Sequence, residues 1–366
     1  MPACTAIMFI AAEHTANPQH GDNVMIARRR LRTALIVAIA ALSLTHVSVR
    51  GADTLPAQIS DAAYWKMITD FSEPDGFFQY TVITSNETAY QEVLPQLAKS
   101  IAPGGTYLGV GPEQNFTYIS ALRPKIAFII DIRRDMMIEH LMYKTVFEMS
   151  ADRADFVGNL FSRKRPAQLA AEPPVAALFQ AYAGARGDAS LMETNLAEIV
   201  RRLKMVHGFA LNADDERRLR AIYTTFLREG VVSFNSSIES PGYRALMIAT
   251  DGQGKNWSFL ASKENYDRVR EMQQKNLIVP LVGDFGGPKT IRSVGQYMRD
   301  HGAIVNLFYL SNVEDYIGSV FAGYSRNIAS LPVDSTSLFI HVSLTSNSFR
   351  PWITRISEFA ASRNIR

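Results

Sequence analysis

The chain is 366 residues long, 47% hydrophobic and 20% charged, with ordinary glycine and proline content; that is enough apolar sequence for a fully buried sheet, in one large domain or two unequal ones. Its net charge of +3 arises in the stretch through Ala52, where Arg28, Arg29, Arg30, Arg32 and Arg50 face only Glu13 and Asp22. The neutral remainder removes the electrostatic case for nucleic acid, which needs a basic face on the folded domain itself. The single cysteine, Cys4, precedes the body of the chain, which excludes disulfides, thiolate zinc sites and cysteine nucleophiles from that body.

From Met25 the chain reads Met-Ile-Ala-Arg-Arg-Arg-Leu-Arg-Thr, followed by an apolar run over 34–44. A basic stretch leading into a short apolar run is the pattern of a secretory signal, whereas a membrane-spanning helix needs about 20 residues. The expectation for 1–52 is therefore a targeting region. The chain is expected to be exported to the periplasm or the extracellular space, or anchored to the membrane by an uncleaved N-terminal segment, since Arg50 stands where cleavage after Ala52 prefers a small residue.

Residues 59–71 read as a first helix, with Ser60 and Asp61 available for capping and Tyr64, Trp65, Ile68 and Phe71 on one face. Ser85-Asn86-Glu87 precedes a second helix over 88–101, stopped by Pro103-Gly104-Gly105. Residues 53–105 thus form a helical lead-in. Next, 106–111 is a short strand running into a glycine turn, Pro112 opens a helix, and 125–131 is a continuous apolar strand ending in an acid. Strands apolar on both faces belong to parallel sheets covered by helices, so this is a βαβ unit.

A helix over 135–149 follows, then helices over 152–161, 175–182, 191–207 and 214–228 that form a helical insertion at about 150–230, its charged faces reading as solvated surface. Strands are expected again at 244–250 and 276–284, with a helix over 265–275 between them. A helix over 288–301, a strand over 303–310 and a last strand over 337–344 complete the pattern. This alternation predicts an α/β fold, a doubly wound and mostly parallel sheet occupying 106–366.

In open parallel sheets, ligands bind beyond the carboxyl ends of the strands, near the reversal of strand order. Three expected strand ends carry suitable groups: Gly109 and Gly111 with Glu113, then Asp131 with Arg133 and Arg134, and later Asp284 with Phe285, Gly286 and Gly287. Glycines let the backbone approach a ligand, the opening helix offers unpaired N–H groups, and an acid about 20 residues further on is placed for a ribose diol. Arg133 and Arg134 read either as anchors for a carboxylate or phosphate or as ion-pair partners of Glu113 or Glu139. His140 is a candidate base or a core histidine. Asn312 and Glu314 lie at the same sheet edge, Glu314 being equally a helix cap, and Tyr309 reads as packing. The chain lacks a His-Glu-x-x-His pair, a Gly-x-Ser-x-Gly elbow and a Walker lysine loop, which argues against the usual zinc hydrolase, α/β-hydrolase and nucleotide triphosphatase chemistries.

Over roughly 106–310, the insertion apart, these features resemble class I S-adenosylmethionine-dependent methyltransferases, whose first loop is glycine-rich and whose second strand ends in an acid that binds the ribose. The resemblance implies Gly109, Gly111 and Asp131 as cofactor contacts, with Asp284 as a later motif acid. Tyr107 sits near the place of the acid that usually precedes the glycines, and Glu113 replaces the third glycine. The block Gly-Val-Gly-Pro-Glu-Gln-Asn-Phe-Thr-Tyr, with Asp-Ile-Arg-Arg and Ser-Asn-Val-Glu-Asp-Tyr, is also similar to a set of uncharacterised bacterial proteins. Three functions stay open. The first is methyl transfer from S-adenosylmethionine, which needs proximity more than a catalytic base. The second is a non-catalytic extracytoplasmic binding or scaffold protein that keeps a small-molecule ligand at the sheet edge. The third is an NAD-dependent oxidoreductase, because the same spacing serves both cofactors. No metal and no nucleic acid are expected.

Overall fold

The computed structural model describes residues 52–80, 82–228, 242–345 and 348–362, and the elements below belong to the unit Asp53–Arg366. The basic and apolar stretches read as an export signal lie outside the described residues. Among the described residues, no helix is long and apolar enough to cross a membrane.

Strands β1 (Thr106–Gly109), β2 (Ile126–Asp131) and β3 (Ile278–Val282) are buried at every position, as the apolar runs of β2 and β3 lead one to expect. With β4 (Val305–Ser311), β5 (Leu338–Thr345) and β6 (Ser348–Arg355) they form one sheet in the order β3-β2-β1-β4-β5-β6. Every neighbouring pair is parallel except β5 and β6. The chain is thus an α/β protein with a six-stranded, mostly parallel sheet, consistent with a Rossmann-like fold. Strand β6 is unanticipated. It is a half-exposed edge carrying Pro351 opposite Val342, and only an edge strand tolerates the missing N–H.

Helix α1 (Asp61–Phe71) begins where Ser60 accepts a hydrogen bond from the Ala63 N–H, and its buried Tyr64 donates to the Ile278 carbonyl at 2.9 Å. The lead-in therefore packs on the sheet through β3. Helix α2 covers only Leu94–Ser100, the second half of the expected segment. Pro95 supplies no N–H and its ring blocks the carbonyl four residues back, so 88–93 forms turns such as Tyr90 N–H to Glu87 C=O at 3.1 Å.

Helices α3 (Gln114–Leu122) and α4 (Arg134–Met149) flank β2 in sequence. Between α4 and β3 come α5 (Arg153–Leu160), α6 (Val175–Tyr182), α7 (Ala189–Arg201) with a π-helical continuation (Arg202–Val206), α8 (Ala213–Leu227), α9 (Gly242–Ile248) and α10 (Lys263–Gln274). The strand expected at 244–250 is corrected to helix α9. Tyr243, Leu246 and Met247 are its buried residues, at helical spacing, and a short apolar run of Ala, Leu and Met favours a helix that periodicity alone does not separate from a buried strand. Arg134 ties the inserted helices to the end of β2 through a bidentate pair with the buried Asp215 (2.6 and 2.9 Å). Helices α11 (Thr290–Asp300), α12 (Phe321–Ala329) and α13 (Ile356–Ser362) follow.

Candidate functional site

Strand order reverses between β1 and β4. A cavity of about 400 Å³ opens there at the carboxyl ends of the strands, reached by Gly111, Asp131, Asp284, Tyr309 and Ser311; both its position and its size suit a small molecule.

One wall comes from the segment after α1, and three contacts explain its path. The Glu73 carboxylate accepts the N–H of Asp284 (3.0 Å) in the loop after β3 and those of Lys289 (2.7 Å) and Thr290 (3.0 Å) at the N-terminus of α11, where the helix dipole favours negative charge. Asp75 accepts the Arg134 N–H at 2.7 Å and pairs with Arg218 at 2.9 Å. Gly76 donates to the Ile132 carbonyl at 2.8 Å, so close that a Cβ would meet the Ile132 Cγ1 at 2.4 Å. The result is a strap that carries Phe77 and Phe78 to the cavity. Phe78 meets Tyr80 and Tyr316 edge-on, whereas Phe77 is 84% exposed.

The glycine turn is held from within. Asn115 donates through Nδ2 to the carbonyls of Val110 (2.9 Å), Gly111 (3.1 Å) and Pro112 (2.7 Å) and accepts from the Tyr107 hydroxyl at 2.7 Å. A Cβ on Gly109 would lie 2.0 Å from the Asn115 Oδ1, so Gly109 makes room for this asparagine and does not line the cavity. Gly111 does line it, at φ +78° with open space around a Cβ. His140 donates to the Gly111 carbonyl at 2.9 Å from behind. Burial pushes the imidazole down to about 4, so the ring props the turn in its neutral form. Glu113, at the N-cap of α3, is fully buried behind the turn, accepts the Ser85 N–H at 3.3 Å through Oε1 and leaves Oε2 without a partner. Burial pushes its carboxyl up to about 8. The structure therefore does not bring Gly109 and Glu113 to the cavity with Gly111.

Asp131 ends β2 and faces the cavity. Its Oδ1 accepts the Arg133 N–H (2.9 Å) and Nε (3.3 Å), while Oδ2 takes no hydrogen bond among the described residues. The rest of the Arg133 guanidinium donates to the Val82 carbonyl at 3.3 Å. Both arginines are thus ion-paired, with Asp131 and Asp215 in place of the expected Glu113 and Glu139. Asp284 lines the cavity and also shapes its own turn, Oδ1 accepting the Gly286 N–H at 2.8 Å. Asn312 lines the cavity, whereas Glu314 pairs with His341 at 3.0 Å and accepts from the Tyr324 hydroxyl at 3.2 Å.

Sequence reasoning missed Glu87. Buried on the cavity wall, it accepts the Tyr309 hydroxyl at 2.5 Å through Oε2 and the Ser311 hydroxyl through Oε1, while Gln114 Nε2 donates to the Tyr309 oxygen at 2.6 Å. Ser311 reaches it from a left-handed backbone (φ +53°) at a register shift in the β4–β5 ladder, a strained geometry for a residue with a side chain. The one available signal was local: no Lys, Arg or His occurs between 82 and 98.

Strand order and a switch-point cavity that meets Asp131 and Asp284 make the chain an α/β protein consistent with a Rossmann-like fold. Residues 82–352 match the model of a family described as a domain of unknown function, DUF7790, and the chain belongs to that family. No curated protein matches the chain.

Proposed function

We propose that this chain is a doubly wound, methyltransferase-like protein that binds S-adenosylmethionine in the switch-point cavity and transfers its methyl group to an acceptor. The observation that carries the reading is Asp131: one oxygen is fixed by Arg133 and the other is left to the cavity, ready to accept from a ribose diol. Helices α1 and α11 pack together, and α10 packs on both α3 and α4, two groups such as a sheet covered on both faces needs.

The charge of the lining favours this ligand over NAD. Among the described residues the cavity meets Glu87, Asp131 and Asp284 against one cation, Arg133, and Arg133 is already engaged. A pyrophosphate needs free N–H groups at a helix N-terminus. Here Pro112 supplies none, and Glu73 fills the start of α11. Bound S-adenosylmethionine supplies an electrophilic methyl on a cationic sulfur; the chain's part is to hold the ribose at Asp131 and fix the approach of the acceptor, for which orientation alone gives large accelerations. A non-catalytic binder is the second reading, favoured by the inward-tied glycine turn around Asn115.

Calorimetry of the full chain with S-adenosylmethionine, S-adenosylhomocysteine and NAD tests the proposal. Saturable binding of the adenosyl ligands is expected, weakened at least about tenfold in Asp131→Ala, the scale of a hydrogen bond to a charged group. Absence of binding by the unaltered protein refutes it. Binding without methyl transfer to any offered acceptor supports the second reading.

A further inference from the structure

A carboxylate taken out of water is costly unless a cation stands against it. Glu87 has no such partner among the described residues. Its hydrogen bonds come from two hydroxyls, and the titratable groups facing it from β1, α3 and β4 are the phenols of Tyr107, Tyr118 and Tyr309. Arg133 is turned to Asp131 and Val82. Yet the chain holds Glu87 in place with a strained serine, a tyrosine and a glutamine behind that tyrosine, all of them on the cavity wall.

We propose that Glu87 is the counter-ion for a positive charge carried by the ligand, so that the cavity selects a cationic 5′-substituted adenosine, a sulfonium, over its neutral thioether. The inference rests on the adenosyl reading above. Asp131 ends β2, the Glu87 network ends β4, and β1 lies between them; two strand spacings make roughly 10 Å, a span that a hydrogen-bonded ribose and its 5′ substituent fill together. The substituent then crosses Gly111, where the lack of a side chain leaves the path open.

Burial raises the Glu87 carboxyl above its usual range, against the pull of its two hydroxyl donors. A bound cation favours the ionised form, so affinity for the sulfonium rises with pH through the Glu87 titration. The thioether gains nothing from that ionisation; the other charged groups of the cavity, Asp131, Asp284 and Arg133, meet both ligands, and the Glu87 variants separate their effect from that of Glu87.

The test is calorimetry of the full chain with S-adenosylmethionine and S-adenosylhomocysteine between pH 5.5 and 8.5, on the unaltered protein, Glu87→Gln and Glu87→Asp. The unaltered protein should prefer the sulfonium by about tenfold at the upper end, the effect of one pKa unit, with the preference shrinking as pH falls. Glu87→Gln, whose amide can still accept from one hydroxyl and donate to the other, should bring the ratio near one at every pH. Glu87→Asp should keep the pH dependence. A ratio near one in the unaltered protein overturns this inference and leaves the adenosyl reading standing, whereas no binding of either ligand overturns both. A Glu87→Gln protein that keeps the full preference, or loses both ligands equally with its melting temperature unchanged, also overturns it. If that variant does not fold, the ratio and its pH dependence in the unaltered and Glu87→Asp proteins decide.

Discussion

Replacing Glu113 with glutamine is expected to flatten the pH dependence of stability. The carboxyl is completely buried at the start of α3 and is pushed up to about 8 by loss of water. An acid whose folded pKa is raised contributes stability that is fully present below its unfolded value, near 4.5, and is lost as pH rises to the folded value. Each unit of separation is worth about 1.4 kcal/mol, so the full interval amounts to on the order of 5 kcal/mol. Glutamine keeps the neutral shape and can still accept the Ser85 N–H. Urea unfolding followed by circular dichroism at pH 5 and pH 8 should therefore show a steep loss in the unaltered protein and a smaller one in Glu113→Gln. Some slope should persist, because burial also raises the Glu139 carboxyl well above its usual range. Equal slopes in the two proteins would refute the burial argument. Since Glu113 does not line the cavity, affinity for S-adenosylmethionine should be unchanged, and a loss would return Glu113 to the ligand contacts.

Two further expectations concern the frame of the site. Gly109→Ala drives a methyl into the Asn115 amide and frees three carbonyls from their shared donor, a loss of about 3 kcal/mol at roughly one per hydrogen bond. Gly111→Ala has open space and pays only for its left-handed backbone, about 1–2 kcal/mol; urea midpoints in the opposite order would sink this account of the turn. Glu73→Ala removes the acceptor of three N–H groups, two at the start of α11 and one in the loop before it, about 3 kcal/mol on the same scale. Hydrogen exchange should then quicken at Asp284, Lys289 and Thr290, and unchanged protection there would show that the strap is held by other contacts.

The sequence by itself determined most of the central sheet strands and pointed to the sheet edge at which the cavity opens. β2 and β3 are written as apolar runs because both their faces are buried, β1 is marked by the glycine turn it runs into, and β2 ends at the aspartate expected of it. Adjacent residues also fixed the turn at Gly111, where no side chain would be comfortable. What tertiary structure decided is which polar groups face inward. Gly109 and Glu113 share the turn with Gly111 in sequence, yet Gly109 makes room for Asn115 and Glu113 is sealed behind the turn at the start of α3. Glu87, read as part of a helix start, is carried to the cavity by turns that Pro95 forces, and meets Tyr309 and Ser311 more than 200 residues away. Periodicity reports burial along one element; the direction of a single carboxyl is set by contacts between elements distant in the chain, and only the folded protein brings those together.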